Sequence, residues 1–375
     1  MAKKTDKTAN VDPDVTIIWK GSPYVTKSKP FKVKNAACIG MPFRNVIIGG
    51  EVESIGEEAF RYCNNLVAVE MQDGVKEIKL NAFFCCANLT SVAIPGSVTR
   101  IGDNAFAGCT GLTSVVIPDG VRAIGAHAFD GCTNLTSVAI PDSVKEIGGS
   151  AFAGCNSLSS NLVWKGILLR AARSNSEKIV IPSGVTEIGR GAFSDGCQAD
   201  VTRQIRVVIP DTVTSIGDGA FYNCGGLISV ELPDSITAIG AQTFSHCTAL
   251  TSIVIPDSVK TIGDQAFFGC TKLASVVIPS GVREIGSFAF CNCSSLTSVT
   301  IPDGVTEIKE NAFARCGSLS SIILPGNLKK IGERAFLGCS GLTSITIPDS
   351  VTEIGENAFS GCTGLNSDEI PGYTH

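Results

Sequence analysis

Phenylalanine returns in this chain at a fixed interval. It stands at positions 60, 83, 106, 129 and 152, then at 193, and then at 221, 244, 267, 290, 313, 336 and 359, with a step of 23 residues inside each run. A period of this length marks an array of small units, none of which buries its own apolar face, so the core must form by stacking neighbours. A 375-residue globular chain would be expected to divide into several domains. A stacked array is free of that expectation, because each unit contacts only the units beside it.

The unit is seen most fully in LTSIT followed by IPDSVTEIGENAFSGCTGL, ending at Leu365. L-T-S-V-x-I-P alternates apolar and polar positions and stops at proline, which predicts a short strand. Pro-Asp-Ser or Pro-Asp-Gly predicts a turn. V-x-x-I-G predicts a second inward-facing piece, with glycine permitting a bend. A-F-x-G-C is too short for a full helix and is expected to form a single helical or 3-10 turn with Ala and Phe inside. Stacked strands lie about 4.8 Å apart, so thirteen units would run on the order of 60 Å, with the strands parallel on one face.

The string LTSVVIPDGVRAI from Leu112, followed by GAHAFDGC, resembles the unit of BspA-like leucine-rich-repeat proteins of the TpLRR type. The resemblance covers roughly residues 46–371. It implies an α/β repeat solenoid: a right-handed superhelix with one parallel β-sheet on the concave face and short helical or 3-10 turns elsewhere. Members occur on the surfaces of spirochaetes, Bacteroides and some parasitic protozoa, so it also implies adhesion or partner binding, a surface or secreted location and no enzymatic activity. The start, MAKKTDKTANVDPD, has lysines but no apolar stretch of a leader, and reduced cysteines would also suit a cytoplasmic protein.

Outside the array, residues 1–14 read as a disordered tail, 15–45 as an N-terminal β cap and 372–375 as a short tail. The chain stops just after the strand of a further unit, with no polar capping element, so its core end is expected to invite stacking on another copy. Two insertions, at 159–180 and 198–205, break the regularity. The first contains Trp164 in a predicted hairpin, NLVWKGILLR; a related IIWKG near the start carries Trp19. Both tryptophans either cover an edge of the solenoid or, at Trp164, stand out for binding. Arg170, Arg173, Lys178, Arg203 and Arg206 concentrate positive charge here, although the chain carries a net −5. That is either a solvated face or a contact patch for an acidic partner.

Thirteen of the sixteen cysteines fall in one column, three residues after the phenylalanine and four after it at Cys197. Zinc sites use closely spaced cysteine pairs, so the column is expected to consist of buried, reduced thiols acting as small apolar groups. Cys38, Cys85 and Cys291 fall outside it. The three histidines, His127, His246 and His375, do not recur, and no catalytic or nucleotide-binding motif is present. No cofactor is expected. The charge balance lacks the basic footprint of a nucleic-acid binder, and no apolar run is long enough to span a bilayer as a helix.

The outward strand columns remain for function. One holds serine at 91, 114, 137, 229, 252, 275, 298, 321 and 344, beside a threonine column. The position between two core residues holds small apolar groups, including Val254 and Val277, interrupted by Glu231. These lanes either reflect strand propensity or receive an extended partner. The predicted binding set is Trp164, Arg170, Arg173, Arg203, Arg206, Glu231, Val254 and Val277, for a protein or surface-glycan ligand. The alternative is a structural spacer that associates end to end as a homodimer.

Overall fold

The computed structural model describes residues 15–18, 22–25, 27, 31–171, 177–194 and 204–365. Two compact units, 1–162 and 163–375, are each built as a stack of parallel β coils. In most regular coils a strand, usually of three residues, precedes the proline turn and a two-residue strand follows it. Ser114–Val116 and Ala123–Ile124 are one such pair. Like strands of adjacent coils align in parallel, residue for residue, as in Ser114↔Ser137 and Ile124↔Ile147. The solenoid thus has two ladders of parallel strands rather than the single sheet expected. The proline turn closes as predicted, for example with the Val121 N–H donating to the Pro118 carbonyl at 3.0 Å.

The A-F-x-x-C segment forms neither a helix nor a 3-10 turn, and no helix occurs among the described residues. Its hydrogen bonds explain why. The N–H groups of Asn311, Phe313 and Arg315 donate forward to the Glu333, Ala335 and Leu337 carbonyls of the next coil. The alternate residues Ala312, Ala314 and Cys316 donate back to Lys309, Asn311 and Phe313. A helix would need each of these donors within its own chain; here half of them tie one coil to the next. The path also needs left-handed backbone two residues before and two after each phenylalanine, as at Asn311 (φ 54°) and Arg315 (φ 60°).

The core consists of repeated columns. The phenylalanines stack face to face, with Phe83 and Phe106 5.2 Å apart and 2° from parallel, and Phe290 and Phe313 5.4 Å apart at 4°. The spacing is that of the strands, so ring stacking and strand pairing share one repeat. The glycine of the V-x-x-I-G segment has a different role from the bend expected. Gly125 keeps ordinary backbone, but a Cβ there would collide with the backbone nitrogen and carboxylate of Asp103 in the preceding coil. Its function is close approach.

Two irregular stretches prove to be coils in disguise. In the N-terminal stretch, Phe31–Val33 pairs in parallel with Val52–Ile55, and Ala36, Cys38 and Gly40 donate to Glu57, Ala59 and Arg61. Cys38 therefore occupies the place of the phenylalanine. In the central insertion, Leu162–Trp164 and Ile167–Arg170 are sheet neighbours joined through Lys165 and Gly166, both with positive φ as a tight hairpin requires. Ile167–Arg170 then pairs in parallel with Glu187–Ile188, and the Ala171 N–H donates to Ala192. Ala171 thus stands in the phenylalanine column and Arg170 in the alanine column before it.

Candidate binding surface

The three-residue strands present one side chain inward and two outward. Ser252–Val254 and Ser275–Val277 each place a buried residue between two exposed ones. Their registers are Ser252↔Ser275 and Val254↔Val277, so like side chains lie one strand spacing apart. Val254 is 81% exposed, Val277 75% and Ile323 62%, with the exposed Thr300 paired to Ile323. Valine and isoleucine suit strands, but strand propensity is equally well served by the threonines that occupy this column elsewhere. The result is a dry strip on an otherwise hydroxyl-bearing face.

The threonine lane is less available than the sequence suggests. Thr90, Thr136 and Thr297 each donate a side-chain hydrogen bond to a backbone carbonyl of the preceding coil, at Val67, Thr113 and Ala274. These hydroxyls brace the stack. The adjacent serines, such as Ser91, Ser114 and Ser298, are exposed.

Arg206 and Glu231 are both exposed and lie on paired strands, with Val208 opposite Glu231 and Arg206 opposite Ser229. With Lys178, which lies opposite Arg206, they are charged interruptions in the lanes of the second compact unit. Trp164 is half-buried, with the Lys165 ammonium 4.6 Å from its ring centroid. Arg173 and Arg203 lie outside the described residues, as do Trp19, Cys197 and the insertion residues 198–203.

Arg170 does not join the exposed set. It is 1% exposed, and its Nη1 donates to the carbonyls of Ser194 at 2.6 Å, Ala192 at 3.4 Å and Gly191 at 3.5 Å. Its long side chain enters the core because the irregular coil has no phenylalanine to fill that space. Seen in the sequence alone, a fourth arginine near three others read as surface charge. The register that places it in the alanine column is visible only in the fold.

The cysteine column is structural. Each described thiol in it donates to the main-chain carbonyl one coil back, as Cys109 does to Phe83 at 3.2 Å and Cys270 to Phe244 at 3.1 Å. Burial pushes the Cys109, Cys270 and Cys316 thiols up to about 12. The described cysteines are free thiols, and no group of three or more metal-ligating side chains occurs among the described residues. His127 pairs with Asp130 at 2.9 Å on the turn face, and His246 lies edge-on between Tyr222 and Phe268. No helix among the described residues is long and apolar enough to cross a membrane.

The model of the BspA type leucine rich repeat region (6 copies) matches residues 32–159, 171–293, 199–319 and 237–366. Among solved structures, the chain is similar to a leucine-rich repeat protein from Bacteroides ovatus. That likeness has 28% identity over 93% of this chain and 85% of the other, with a TM-score of 0.55. It is also similar to a leucine rich cell surface protein from Faecalibacterium prausnitzii, with 27% identity over 84% and 88% of the two chains and a TM-score of 0.54. A leucine-rich repeat protein from Eubacterium ventriosum, 24% identical over 89% and 86%, shares the fold with a TM-score of 0.60. Comparison with curated proteins finds no match. With most of its length covered by that repeat model, the chain belongs to the BspA-type leucine-rich-repeat family.

Proposed function

We propose that the chain is a non-catalytic protein-binding module and that the strand face of the second compact unit receives the partner. The observation that carries this reading is the strip formed by Val254 and Val277, aligned on paired strands, with Ile323 beyond Thr300 two strands further on; these side chains are 62% to 81% exposed. Apolar side chains exposed singly need no explanation, but a row in register forms a patch, and patches of this kind mark interaction sites. Threonine serves the same column at positions 300 and 346, so the fold does not require the apolar residues. Arg206 and Glu231 lie on the two strands that precede the strip and would set the orientation of a partner through opposite charges. The Faecalibacterium relative is described as a cell surface protein, which supports adhesion at a cell surface as the setting.

The test uses wild-type protein and a Val254→Glu/Val277→Glu variant as paired baits, with their melting curves compared first. Both substitutions fall at solvent-facing sites but set two like charges opposite each other, so the expected stability cost is about 1 kcal/mol. A protein recovered by wild type and lost at least tenfold by the variant supports the reading. Recovery that is identical for the two baits overturns it.

A further inference from the structure

The turn face of the second compact unit carries a cavity of about 440 Å³ that is separate from the strand face. Its floor is made by Cys291 and Ala314, which are 7% and 1% exposed. These two occupy the position just after the phenylalanine in successive coils. In the coils on either side the same position holds Phe268 and Leu337, which form the walls. Two small side chains between two large ones in a single column leave the depression. Phe288, Arg315 and Arg334 complete the lining, with Glu310 and two asparagines.

Three of these residues stand at left-handed positions of the coil. Phe288 has φ 58°, Arg315 φ 60° and Arg334 φ 53°. These are the two left-handed positions of the coil, which other coils fill with glycine or asparagine, as at Gly108, Gly131, Gly338, Asn81, Asn104 and Asn357, or with other side chains, as at Tyr62, His127, Gln242 and Gln265. Glycine is free of the left-handed penalty and asparagine tolerates it, whereas a bulky aromatic there is an outlier. A repeat protein provides its own control: the same backbone is built elsewhere with suitable residues. Residues that contradict local preference without helping the fold collect at functional sites. Here three large side chains of this kind line one cavity.

The charges define the ligand. Arg334 is paired with Glu333 at 2.8 Å, and Asn311 Nδ2 donates to Glu310 Oε1 at 3.0 Å. Arg315 has no carboxylate partner among the described residues. Its side chain stands at the mouth of an apolar floor and aromatic wall, in a protein whose net charge is −5. We propose that this cavity is a second binding site, which takes an acidic peptide segment by seating an aromatic side chain on Cys291 and Ala314 and a neighbouring carboxylate on Arg315. The volume lies within the usual range for ligand sites, roughly 300–1,000 Å³, and a guanidinium that holds a carboxylate in two parallel hydrogen bonds supplies the orientation.

The experiment is fluorescence polarisation of the full chain with a fluorescein-labelled, C-terminally amidated Asp-Glu-Phe-Asp-Glu peptide. The comparison peptides are Asn-Gln-Phe-Asn-Gln and Asp-Glu-Ala-Asp-Glu. Binding of the first, with at least a tenfold loss for each of the others, is expected. The discriminating variants are Arg315→Gly and Phe288→Asn, because both install the residue that other coils use and so leave or raise the melting temperature. Each is expected to weaken the acidic peptide at least tenfold at unchanged or higher Tm. Equal affinity in wild type and both variants, or no saturable binding by wild type up to millimolar protein, overturns the proposal. Because Val254→Glu/Val277→Glu lies on the strand face, retention of peptide binding in that variant keeps the two sites distinguishable.

Discussion

The Cys270 thiol donates to the Phe244 carbonyl one coil back, at 3.1 Å, in a space sealed from water. The Phe244 carbonyl, which also accepts the Cys247 N–H at 3.1 Å, gains a second donor from a side chain small enough to fit beneath the phenylalanine stack. The same contact recurs down the column, for example from Cys293 to Phe267 and from Cys316 to Phe290.

This arrangement makes stability sensitive to alkali. Burial raises Cys109, Cys270 and Cys316 from 9.0 to about 12. In the unfolded chain these thiols ionise near 9, whereas in the fold they stay protonated, so the unfolded state releases protons first. Stability is therefore complete below pH 9 and falls as pH rises from about 9 to about 12, by roughly 1.4 kcal/mol per pH unit for each such cysteine. Thermal melts from pH 7 to 11 should show the decline. Cys270→Ala should reduce the slope by one cysteine's share, about 1.4 kcal/mol per pH unit, while lowering Tm at pH 7 through the lost hydrogen bond and a small void. A melt independent of pH up to 11 would refute this account.

The phenylalanine stack predicts the cost of interrupting it. Phe290 is fully buried between Phe267 and Phe313, with ring centroids at 5.1 and 5.4 Å. Phe290→Ala removes both contacts and leaves a cavity in a column that cannot collapse, because strand pairing holds the coils apart. The expected loss is about 3–5 kcal/mol, and Phe290→Leu should lose less than half of that. Urea denaturation followed by circular dichroism measures both. Since each coil depends on its neighbours, the alanine variant should also broaden the transition.

Period, parallel stacking and the identity of the core columns were legible in the sequence because each is repeated many times, so an accidental match is averaged away. The turn after A-F was misread for a physical reason. Residue spacing alone does not reveal that alternate N–H groups pair with another coil, and a short run containing Ala and Phe resembles a helical turn when only its own chain is considered. Arg170 was misplaced because an irregular coil has no period to supply its register. The cavity residues Phe268, Phe288, Arg315 and Arg334 escaped notice as variable positions around A-F. The available signal was the size of the side chains at 288, 315 and 334, at positions that glycine or asparagine fills in about half of the coils.

The left-handed positions can be tested where crowding plays no part. Gly338 has φ 72°, and a Cβ added there would meet nothing nearer than the Arg315 side chain at 3.8 Å. Gly338→Ala therefore isolates the backbone penalty and should cost about 1–2 kcal/mol. Gly338→Asn should cost visibly less, because asparagine tolerates this region. If the two variants melted together, side-chain fit rather than backbone conformation would govern the column.

Arg170 offers the sharpest separation of architecture from binding. Its buried guanidinium donates to three carbonyls of the coil that follows, at Gly191, Ala192 and Ser194. Hydrogen bonds to a charged donor contribute about 1.5–3 kcal/mol each when their loss strands a buried partner. Arg170→Ala is expected to cost about 3–5 kcal/mol, and Arg170→Lys somewhat less, since an ammonium reaches fewer of these acceptors. The damage should be local at first: amide hydrogen exchange should accelerate at Gly189–Ser194 before the coils beyond Phe244 respond. Partner capture through the strand face should survive wherever the protein remains folded. An Arg170→Ala protein as stable as wild type but unable to capture its partner would return this arginine to the binding surface.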